Sequence, residues 1–228
     1  MSIINYIYDA LIVLALASLP SVAWFFRVRK MMLKRQISII RIIEGAVGPR
    51  DKRYWIHGYL VGFTGKYWVM RGPIDKVWVT YTTPPYHAFF YLPIIILLGR
   101  RERLEVVVES SRPFKARGYA YIYNPRLRSL RASVESEVRK ERGRDRLRGV
   151  IRVDGAIYST VYSSEEALDA AHGVLRDLSA HGIVYRVSLS SSRRMLVATV
   201  TPKSIEDYEA VVRRVMEKVE ALTRDGGI

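Results

Sequence analysis

The sequence predicts an α+β fold with an N-terminal transmembrane helix, a small antiparallel β-rich unit and a C-terminal ferredoxin-like βαββα unit. A long apolar segment begins the chain and is followed directly by basic residues. Segments rich in Tyr, Trp, Val and Thr come next, and the last third alternates strand-like and helix-like periodicity. We expect four segments: an anchor with its basic flank (residues 1–35), a membrane-proximal β-rich domain (36–125), a charged helix or linker (126–149) and the ferredoxin-like domain (150–228).

The apolar segment, residues 3–26, is long enough to cross a membrane. A helix of about 20 apolar residues spans a hydrocarbon core ~30 Å thick, and residues 10–26 carry no charge. Lys and Arg beside a span are retained in the cytoplasm. We therefore expect one crossing of the cell membrane, with the N-terminus outside, the C-terminal domain in the cytoplasm and membrane lipids as partners. The residues of the basic flank are Arg27, Arg29, Lys30, Lys34 and Arg35.

A cleaved signal peptide is the alternative interpretation of this segment. Ala15, Leu16 and Ala17 resemble the small-residue cleavage site of such a peptide. A signal peptide, however, carries its positive charge before the apolar run, whereas the Lys and Arg residues of this chain follow the run. The sequence therefore favours an uncleaved anchor.

The charge of the chain is strongly basic and unevenly distributed. The net charge is +15, and it divides into about +18 for residues 27–152 and about −2 for residues 153–228. The basic surface therefore belongs to the membrane-proximal half. The absence of Cys excludes disulfides, Cys-ligated metal sites and thiol catalysis, and with the heavy use of Arg it fits a thermophilic source.

The middle of the chain contains strand-like segments around a second apolar stretch. Residues 31–46 are predicted to continue the first helix until Gly45, Gly48 and Pro49 end it. The strand-like segments are residues 55–64, 66–70, 76–83, 104–109 and 118–123. Residues 86–98 are apolar but too short to span a membrane. They are interpreted either as a buried core strand or as a segment that enters the membrane interface.

The C-terminal half is predicted to hold a charged helix and then the ferredoxin-like unit. Leu127, Leu130, Val134 and Val138 give residues 126–149 a narrow apolar stripe. Residues 150–162 predict a strand or a hairpin, and Ser163 with Glu166 predicts a capping box for the following helix. A hairpin over residues 183–201 and a helix capped by Ser204 and Asp207 complete the unit.

Motifs for catalysis or cofactor binding are absent from the sequence. There is no HExxH, no GxSxG, no Walker-type loop and no GxGxxG, so we expect neither a metal site nor a cofactor. His57 and His87 both belong to the aromatic β-rich segment and could lie close together. This pair is the only basis in the sequence for an enzymatic hypothesis.

Basic residues with interleaved aromatic residues are the remaining candidate for a site. Such a surface binds phosphate backbones, with aromatic rings such as Tyr119, Tyr121 and Tyr123 available for base stacking. The same arginines beside a membrane bind anionic lipid at roughly 1 kcal/mol each. The predicted residues for an anionic partner are Arg100, Arg101, Arg103, Arg112, Lys115, Arg117, Arg126, Arg128 and Arg131.

Residues 49–103 carry a family resemblance through three groups of residues. They are Asp51-Lys52, the run from Trp55 to Phe63 (WIHGYLVGF) and the run from Pro85 to Pro93 (PYHAFFYLP). With these groups the chain resembles archaeal membrane-anchored proteins of unknown activity, over about a quarter of its length. The resemblance implies an archaeal, single-pass protein that faces inward, and it carries over no functional residue.

Three functional hypotheses follow from these observations. The first is a non-enzymatic, membrane-anchored cytoplasmic interaction protein, or an accessory subunit of a membrane complex, whose basic surface binds an anionic protein partner. The second is an RNA- or ribosome-binding protein tethered at the membrane. The third is a membrane-bound enzyme that uses His57 and His87.

Overall fold

The structure is a computed structural model that describes residues 3–58, 60–141 and 146–223. Nine strands and five α-helices occur in these ranges. In chain order the elements are α1 (Ile3–Val47), β1 (Asp51–Ile56), β2 (Gly62–Arg71), β3 (Ile74–Thr82), a 3₁₀ turn (Phe89–Tyr91), α2 (Leu92–Leu97), β4 (Arg103–Ser110), β5 (Tyr119–Tyr123), α3 (Arg128–Lys140), β6 (Leu147–Val153), β7 (Ala156–Tyr162), α4 (Glu165–Ser179), β8 (Gly182–Ser190), β9 (Met195–Pro202) and α5 (Glu206–Thr223).

The described strands form one antiparallel sheet in the order β1-β2-β3-β4-β9-β8-β5-β7-β6. Strands β1 to β4 follow one another as a meander, as expected for the β-rich unit. The meander then continues directly into the C-terminal strands, because β4 pairs with β9. The predicted α+β class and the antiparallel β-rich unit are confirmed, and they share a single sheet with the C-terminal strands.

The ferredoxin-like arrangement predicted for residues 150–228 is not confirmed. The elements β7, α4, β8, β9 and α5 occur in the expected order, but β5 lies between β7 and β8. Tyr121 of β5 is opposite Val161 of β7 on one side and Ser188 of β8 on the other. A strand from the predicted membrane-proximal domain thus occupies the middle of the predicted C-terminal unit. The domain boundaries themselves stay a prediction.

One face of the sheet carries the main hydrophobic core. Helices α4, α5 and the second half of α1 pack on this face. Strand β4 shows the alternation that this packing requires, since Leu104, Val106 and Val108 are buried while Glu105 and Glu109 face the other side. The strands, α3, α4 and α5 are together called the sheet unit below.

The opposite face is covered over β5 by helix α3 and is more open over β1 to β4. Val134 and Val138 of α3 pack on Tyr119, Tyr121 and Tyr123, forming a second, smaller core with Val161. On the open part Trp78 stacks on Trp55 with ring centroids 5.9 Å apart, and Lys66 Nζ lies 4.4 Å from the centroid of Trp78. These side chains cover one another across neighbouring strands.

Helix α1 is continuous through Pro20 and ends where the sequence predicts. Gly48 follows Val47 with a φ of +58°, and its N–H bonds to the carbonyl of Glu44. A left-handed residue at this position is the usual glycine termination of a helix. The predicted stop at Gly48 is therefore confirmed, whereas Gly45 lies within the last turn.

The segment 86–98 is not the core strand that was one of its two interpretations. It forms the 3₁₀ turn and the short helix α2, in which Ile95 is buried and the other side chains are partly or fully exposed. Pro93 lies in the first turn of α2, where a missing N–H breaks no helical hydrogen bond. The same missing N–H would leave a gap in a central strand ladder, so proline favours the helix here.

Two local predictions in the strand and cap regions are wrong. The predicted strand 55–64 ends at Ile56 and resumes at Gly62, because Gly58 and Leu60 adopt positive φ in a loop between β1 and β2. The cap of α4 is Ser164, whose Oγ accepts the N–H of Ala167. The Oγ of Ser163 instead accepts the N–H of Tyr119 and ties α4 to β5.

The cap of α5 is the predicted capping box. The N–H of Ser204 donates to a carboxylate oxygen of Asp207, and the N–H of Asp207 donates to Ser204 Oγ. Of the two alternatives predicted for residues 150–162, the hairpin is present, with β6 and β7 joined at Asp154 and Gly155. Residues 142–145 of the predicted charged segment lie outside the described residues.

Candidate membrane-interface site

Helix α1 begins with an apolar segment that the sheet unit leaves uncovered. Within the described residues, one helix is long and apolar enough to cross a membrane, and 6% of its most apolar window is buried. Leu14, for example, is 66% exposed. The coarse expectation of a long apolar N-terminal helix is confirmed. A signal sequence would pass the same test of length and composition.

The end of this apolar segment is packed against the loop that precedes α2. Trp24 donates a hydrogen bond from Nε1 to the carbonyl of Tyr86, with an N···O distance of 2.9 Å. The rings of Trp24 and Phe89 meet edge to face with centroids 6.1 Å apart, and Phe25 meets His87 at the same distance. The loop and α2 are therefore held beside the last apolar turns of α1.

Helix α2 presents its apolar side chains outward at this point. Ile96 is 77% exposed and Leu97 is 86% exposed, and Phe90 in the preceding turn is also exposed. Arg100 and Arg101 follow directly and are exposed as well. The result is an uncovered apolar surface bounded by two cations, close to the basic flank of α1.

A cavity of about 580 Å³ separates α1 from the loop before α2. Its lining is mostly apolar and includes Phe25 and Phe26 from α1 and Phe89 and Phe90 from the loop. The Nδ1 atom of His87, another lining residue, is buried without a hydrogen-bond partner among the described residues. The cavity is thus a mostly hydrophobic space beside a histidine whose Nδ1 is buried and unpartnered.

A charged cluster joins α1 to the sheet unit at residue 102. A carboxylate oxygen of Glu102, which begins the approach to β4, lies 2.9 Å from a guanidinium nitrogen of Arg35. The hydroxyl of Tyr208 in α5 donates to the same oxygen over 2.9 Å. Burial and the neighbouring Glu102 carboxylate raise the pKa of both Tyr208 and Tyr81. The cluster therefore ties three elements together beside the core.

The predicted membrane flank is on the surface of α1. Arg27, Lys30 and Lys34 are exposed, and Arg29 is partly exposed. Arg35 belongs to the Glu102 cluster and is engaged with the sheet unit. All five predicted residues are thus at least partly exposed at the level where α1 enters the sheet unit, including Arg35, whose side chain is 48% exposed.

The strands of the sheet give it two ends. At one end Leu60 packs on Val28 and Met32 of α1, and β4 begins directly after Glu102. This end is called the anchor end, and the register places the start of β4, the end of β9 and the end of β5 there. The opposite end, with the turns at residues 72–73 and 191–194, is called the far end.

The predicted residues for an anionic partner divide between these ends and do not form one surface. The far-end cluster is Arg112, Lys115 and Arg117, in the connection from β4 to β5. The other predicted residues precede or begin β4 or follow β5, at the anchor end. This anchor-end cluster contains Arg100, Arg101, Arg103, Arg126, Arg128 and Arg131.

The side chains of the two clusters differ in how much they are engaged. The far-end residues are exposed, and none of them forms an ion pair with a described carboxylate. In the anchor-end cluster, Arg103 lies over the ring of Tyr185 and Arg131 pairs with Glu135 on α3. The far end therefore offers three cations whose charge is uncompensated within the described chain.

The tyrosines of β5 are not available for base stacking. Tyr119, Tyr121 and Tyr123 lie under α3, with exposures of 2%, 1% and 7%. The hydroxyl of Tyr121 donates to Glu141, which also accepts hydrogen bonds from Ser190 and Ser192. The expectation of an open basic strand with exposed aromatic rings is wrong, because α3 uses the rings as its packing surface.

The two histidines of the enzymatic hypothesis have unrelated surroundings. The ring of His57 hydrogen-bonds to Thr64, whose Oγ1 is 2.8 Å from that of Thr80 on the open face of the sheet. The ring of His87 contacts Phe25 of α1, the helix that packs on the opposite face. In residues 3–58, 60–141 and 146–223, no group of three or more His, Asp or Glu residues could hold a metal ion.

Sequence reasoning missed the residues that connect the anchor to the sheet unit. The hydrogen bond between Trp24 and Tyr86 joins two segments 62 residues apart, so no local pattern indicates it. Glu102 is one acid among many arginines and carries no local pattern. A charge of opposite sign within a basic run was the one available indication.

No protein-family model and no curated protein sequence matches this chain.

Proposed function

We propose that this protein is a single-pass membrane-anchored protein whose sheet unit lies in the cytoplasm. There it acts as a non-enzymatic interaction protein or as an accessory subunit of a membrane complex. The anchor-end cluster and the basic flank meet the lipid surface, and the far-end cluster binds an anionic protein partner. The resemblance to archaeal membrane-anchored proteins agrees with this proposal and stays a prediction.

The continuity of α1 is the observation that carries the proposal. Its 45 residues correspond to about 68 Å of helix, of which the first half is uncovered and apolar. The second half belongs to the core through Ile39 and Ile43, which are fully buried. A signal peptide is removed from a finished fold, whereas this helix continues without interruption into the core. The geometry therefore supports a retained anchor rigidly joined to the sheet unit.

The orientation of the protein follows from its charge. The residues after the apolar segment are strongly basic, and cations beside a span favour the cytoplasmic side. A cytoplasmic leaflet rich in anionic lipid would attract Arg27, Lys30 and Lys34 directly. The far-end cluster lies at the other end of the sheet and is directed away from this surface. It is therefore the basic group that a soluble anionic partner can reach.

A topology experiment tests the anchor. The full chain is expressed in its host, and protease is added to sealed right-side-out or inverted membrane vesicles. We expect digestion of the sheet unit in inverted vesicles alone, together with an intact N-terminus by mass spectrometry. A mature chain beginning near Ser18, or digestion from the outside, would contradict the proposal.

A matched pair of variants tests the far-end cluster. Arg112→Gln, Lys115→Gln and Arg117→Gln are combined in one variant, and Arg126→Gln, Arg128→Gln and Arg131→Gln in the control, so each loses three charges. Crosslinking in native membranes should yield a defined protein partner with wild type and with the control. The far-end variant should lose that partner. Equal crosslinking by both variants would refute the far-end assignment.

The same crosslinking experiment distinguishes an RNA partner from a protein partner. Crosslinked material that disappears after ribonuclease treatment would identify RNA as the anionic partner. Binding to RNA would then fall steeply with salt because counterions are released from the phosphate backbone. The burial of the β5 tyrosines under α3 removes the stacking surface on which sequence-tolerant RNA binding depends. A protein partner is therefore the stronger proposal.

A further inference from the structure

We propose that residues 89–98 form a second membrane contact, inserted into the interfacial layer of the leaflet that α1 leaves. In this arrangement Phe90, Ile96 and Leu97 lie at the boundary between headgroups and acyl chains, and Arg100 and Arg101 bind anionic lipid headgroups. The contact depends on the proposed insertion of α1. The contact gives a role to a segment that contributes little to the hydrophobic core.

The exposed apolar surface of this segment needs a covering that the chain does not supply. Ile95 is buried, but Ile94, Ile96, Leu97 and Leu98 around it are exposed, so α2 packs through one residue and presents the others outward. Four exposed apolar side chains on and just after one short helix are costly in water, at roughly 25 cal/mol for each Å² of uncovered apolar surface. A lipid interface is the environment in which such a helix is stable.

The position of α2 identifies lipid as the covering. The hydrogen bond from Trp24 to Tyr86 and the contact between Trp24 and Phe89 hold the segment beside the last turns of the apolar half of α1. Trp24 is two residues before the end of that half, which corresponds to about 3 Å along the helix axis. Tryptophan is typical of the interfacial layer, so α2 lies at that depth.

The charges around α2 match an anionic leaflet. Arg100 and Arg101 follow the apolar residues directly, are exposed, and form no ion pair with any carboxylate among the described residues. Arg27 and Lys30 lie on the adjacent turns of α1 and are exposed too. Apolar side chains with cations immediately beside them are the composition of segments that lie in an anionic membrane surface.

The cavity between α1 and the loop completes the surface. Its volume of about 580 Å³ and its phenylalanine lining suit the end of a lipid acyl chain. An apolar cavity that is open to water on one side would be unfavourable. The same cavity at the interface is filled by the surrounding lipid.

Two attachments would fix the orientation of the sheet unit. A single helix leaves the domain behind it free to rotate about the membrane normal and to tilt. A second contact beside the helix removes the tilt, so the anchor end is held on the lipid and the far-end cluster is directed into the cytoplasm. The second contact thus determines which surface a soluble partner meets.

The absence of cysteine makes a depth measurement direct. Single-cysteine variants Leu14→Cys, Leu97→Cys and Val150→Cys of the full chain are labelled with an environment-sensitive fluorophore. They are then reconstituted in vesicles of phosphatidylcholine with phosphatidylglycerol. Leu14 reports the apolar half of α1, and Val150 is a matched exposed apolar residue on the edge strand β6. Quenching by lipids with a nitroxide at a shallow or a deep position gives the depth of each label.

The three positions distinguish failure of this inference from failure of the anchor. We expect deep quenching at residue 14, shallow quenching at residue 97 and at least about fivefold weaker quenching at residue 150, given the depth of the interfacial layer. Quenching at residue 14 with residue 97 as weak as residue 150 would overturn the second contact and leave the anchor standing. Absence of quenching at residue 14 would overturn the anchor and, with it, this inference.

A charge variant tests the headgroup contact separately. Arg100→Gln with Arg101→Gln is compared with Arg112→Gln and Arg117→Gln, which remove the same charge at the far end. Shallow quenching of the Leu97→Cys label should increase with the fraction of phosphatidylglycerol in wild type and in the far-end variant. It should lose at least half of that increase in the Arg100/Arg101 variant. An equal increase in all three proteins would overturn the role of the two arginines.

Discussion

The two halves of helix α1 have similar secondary structure and opposite surroundings. In residues 6–23 the apolar side chains lie around the whole circumference and nearly all are exposed, whereas residues 27–47 carry a buried apolar stripe, with Met31 and Ile37 exposed outside it. Ile39 and Ile43 are four residues apart on that stripe, and Arg41 and Glu44 lie outside it. The comparison shows that the angular width of the apolar surface, more than its amount, determines what a helix packs against.

The halves also differ in what holds them. The second half is held by core packing and by the Arg35–Glu102–Tyr208 cluster, all within the chain. In the first half, Trp24 and Phe25 near its end contact the loop before α2. Substitutions in the second half should therefore change the stability of the sheet unit. Substitutions in the first half should change the association of the protein with the membrane.

The largest effect is expected from the buried half. Ile39→Ala and Ile43→Ala should each lower the free energy of unfolding by about 2–5 kcal/mol, because each leaves a cavity in the core. Leu14→Ala, an exposed residue of the first half, is the control and should change it by less than about 0.5 kcal/mol. Denaturant unfolding of the detergent-solubilised full chain, followed by far-UV circular dichroism, measures both. A destabilising effect of Leu14→Ala would contradict the conclusion that only the second half of α1 stabilises the sheet unit.

The next effect concerns insertion of the apolar half. Leu14→Arg should disfavour insertion by about 2.5–3.5 kcal/mol, the cost of an arginine at the centre of a span. The fraction of the protein that stays in the membrane after carbonate extraction should fall accordingly. Met31→Arg, an exposed substitution in the second half, is the matched control and should leave that fraction unchanged. Loss of membrane retention by Met31→Arg would show that the halves are not separate.

A smaller effect is expected at the junction of α1 with the sheet unit. Tyr208→Phe removes the hydrogen bond to the Glu102 carboxylate and should lower the free energy of unfolding by about 1.5 kcal/mol. Tyr123→Phe is the control, since Tyr123 is also buried in the sheet but no described hydrogen bond involves its hydroxyl. Unfolding curves measured as above compare the two. Equal effects would indicate that the junction acts through packing alone.

The smallest expected effect is a pH dependence at the end of α1. Burial opposes it, but hydrogen bonds from Lys52 and Tyr54 hold the pKa of Glu44 below its usual value. A lowered folded-state pKa contributes stability that is complete above the unfolded pKa, about 4.3, and is lost as the pH falls through the folded value. Glu44→Gln should therefore reduce the loss of stability between pH 6 and pH 3. Glu217→Gln, in an exposed pair with Arg214, should not.

Much of the fold could be predicted from local pattern. The apolar run, the stop at Gly48, the meander strands and the capping box of Ser204 with Asp207 all depend on residues close in sequence. The insertion of β5 between β7 and β8 could not be predicted, because a five-residue strand carries no information about its neighbours. The alternation of tyrosine with apolar residues in β5 is typical of a strand with one exposed face. Both faces of β5 are buried, so this pattern was misleading.

The candidate site could be predicted only in part, because its layout also depends on the pairing of distant strands. The basic residues were recognisable by type, but their division between the anchor end and the far end follows from strand order and register. The helix α2 was recognisable as apolar, and its two interpretations differed only in what covers it. The structure excludes the core strand and places the segment beside α1 through the contact between Trp24 and the loop before α2, which joins residues 62 apart in sequence.

The sequence by itself determined the long apolar helix, the basic charge that follows it and the positions of the strands, because hydrophobic periodicity and charge act over a few neighbouring residues. The tertiary structure alone decided that the strands form one sheet, that α3 covers the β5 tyrosines, and that α2 lies uncovered beside the apolar half of α1. These outcomes depend on pairings between distant segments. Their free energy comes from burying surfaces against each other, which no local pattern encodes.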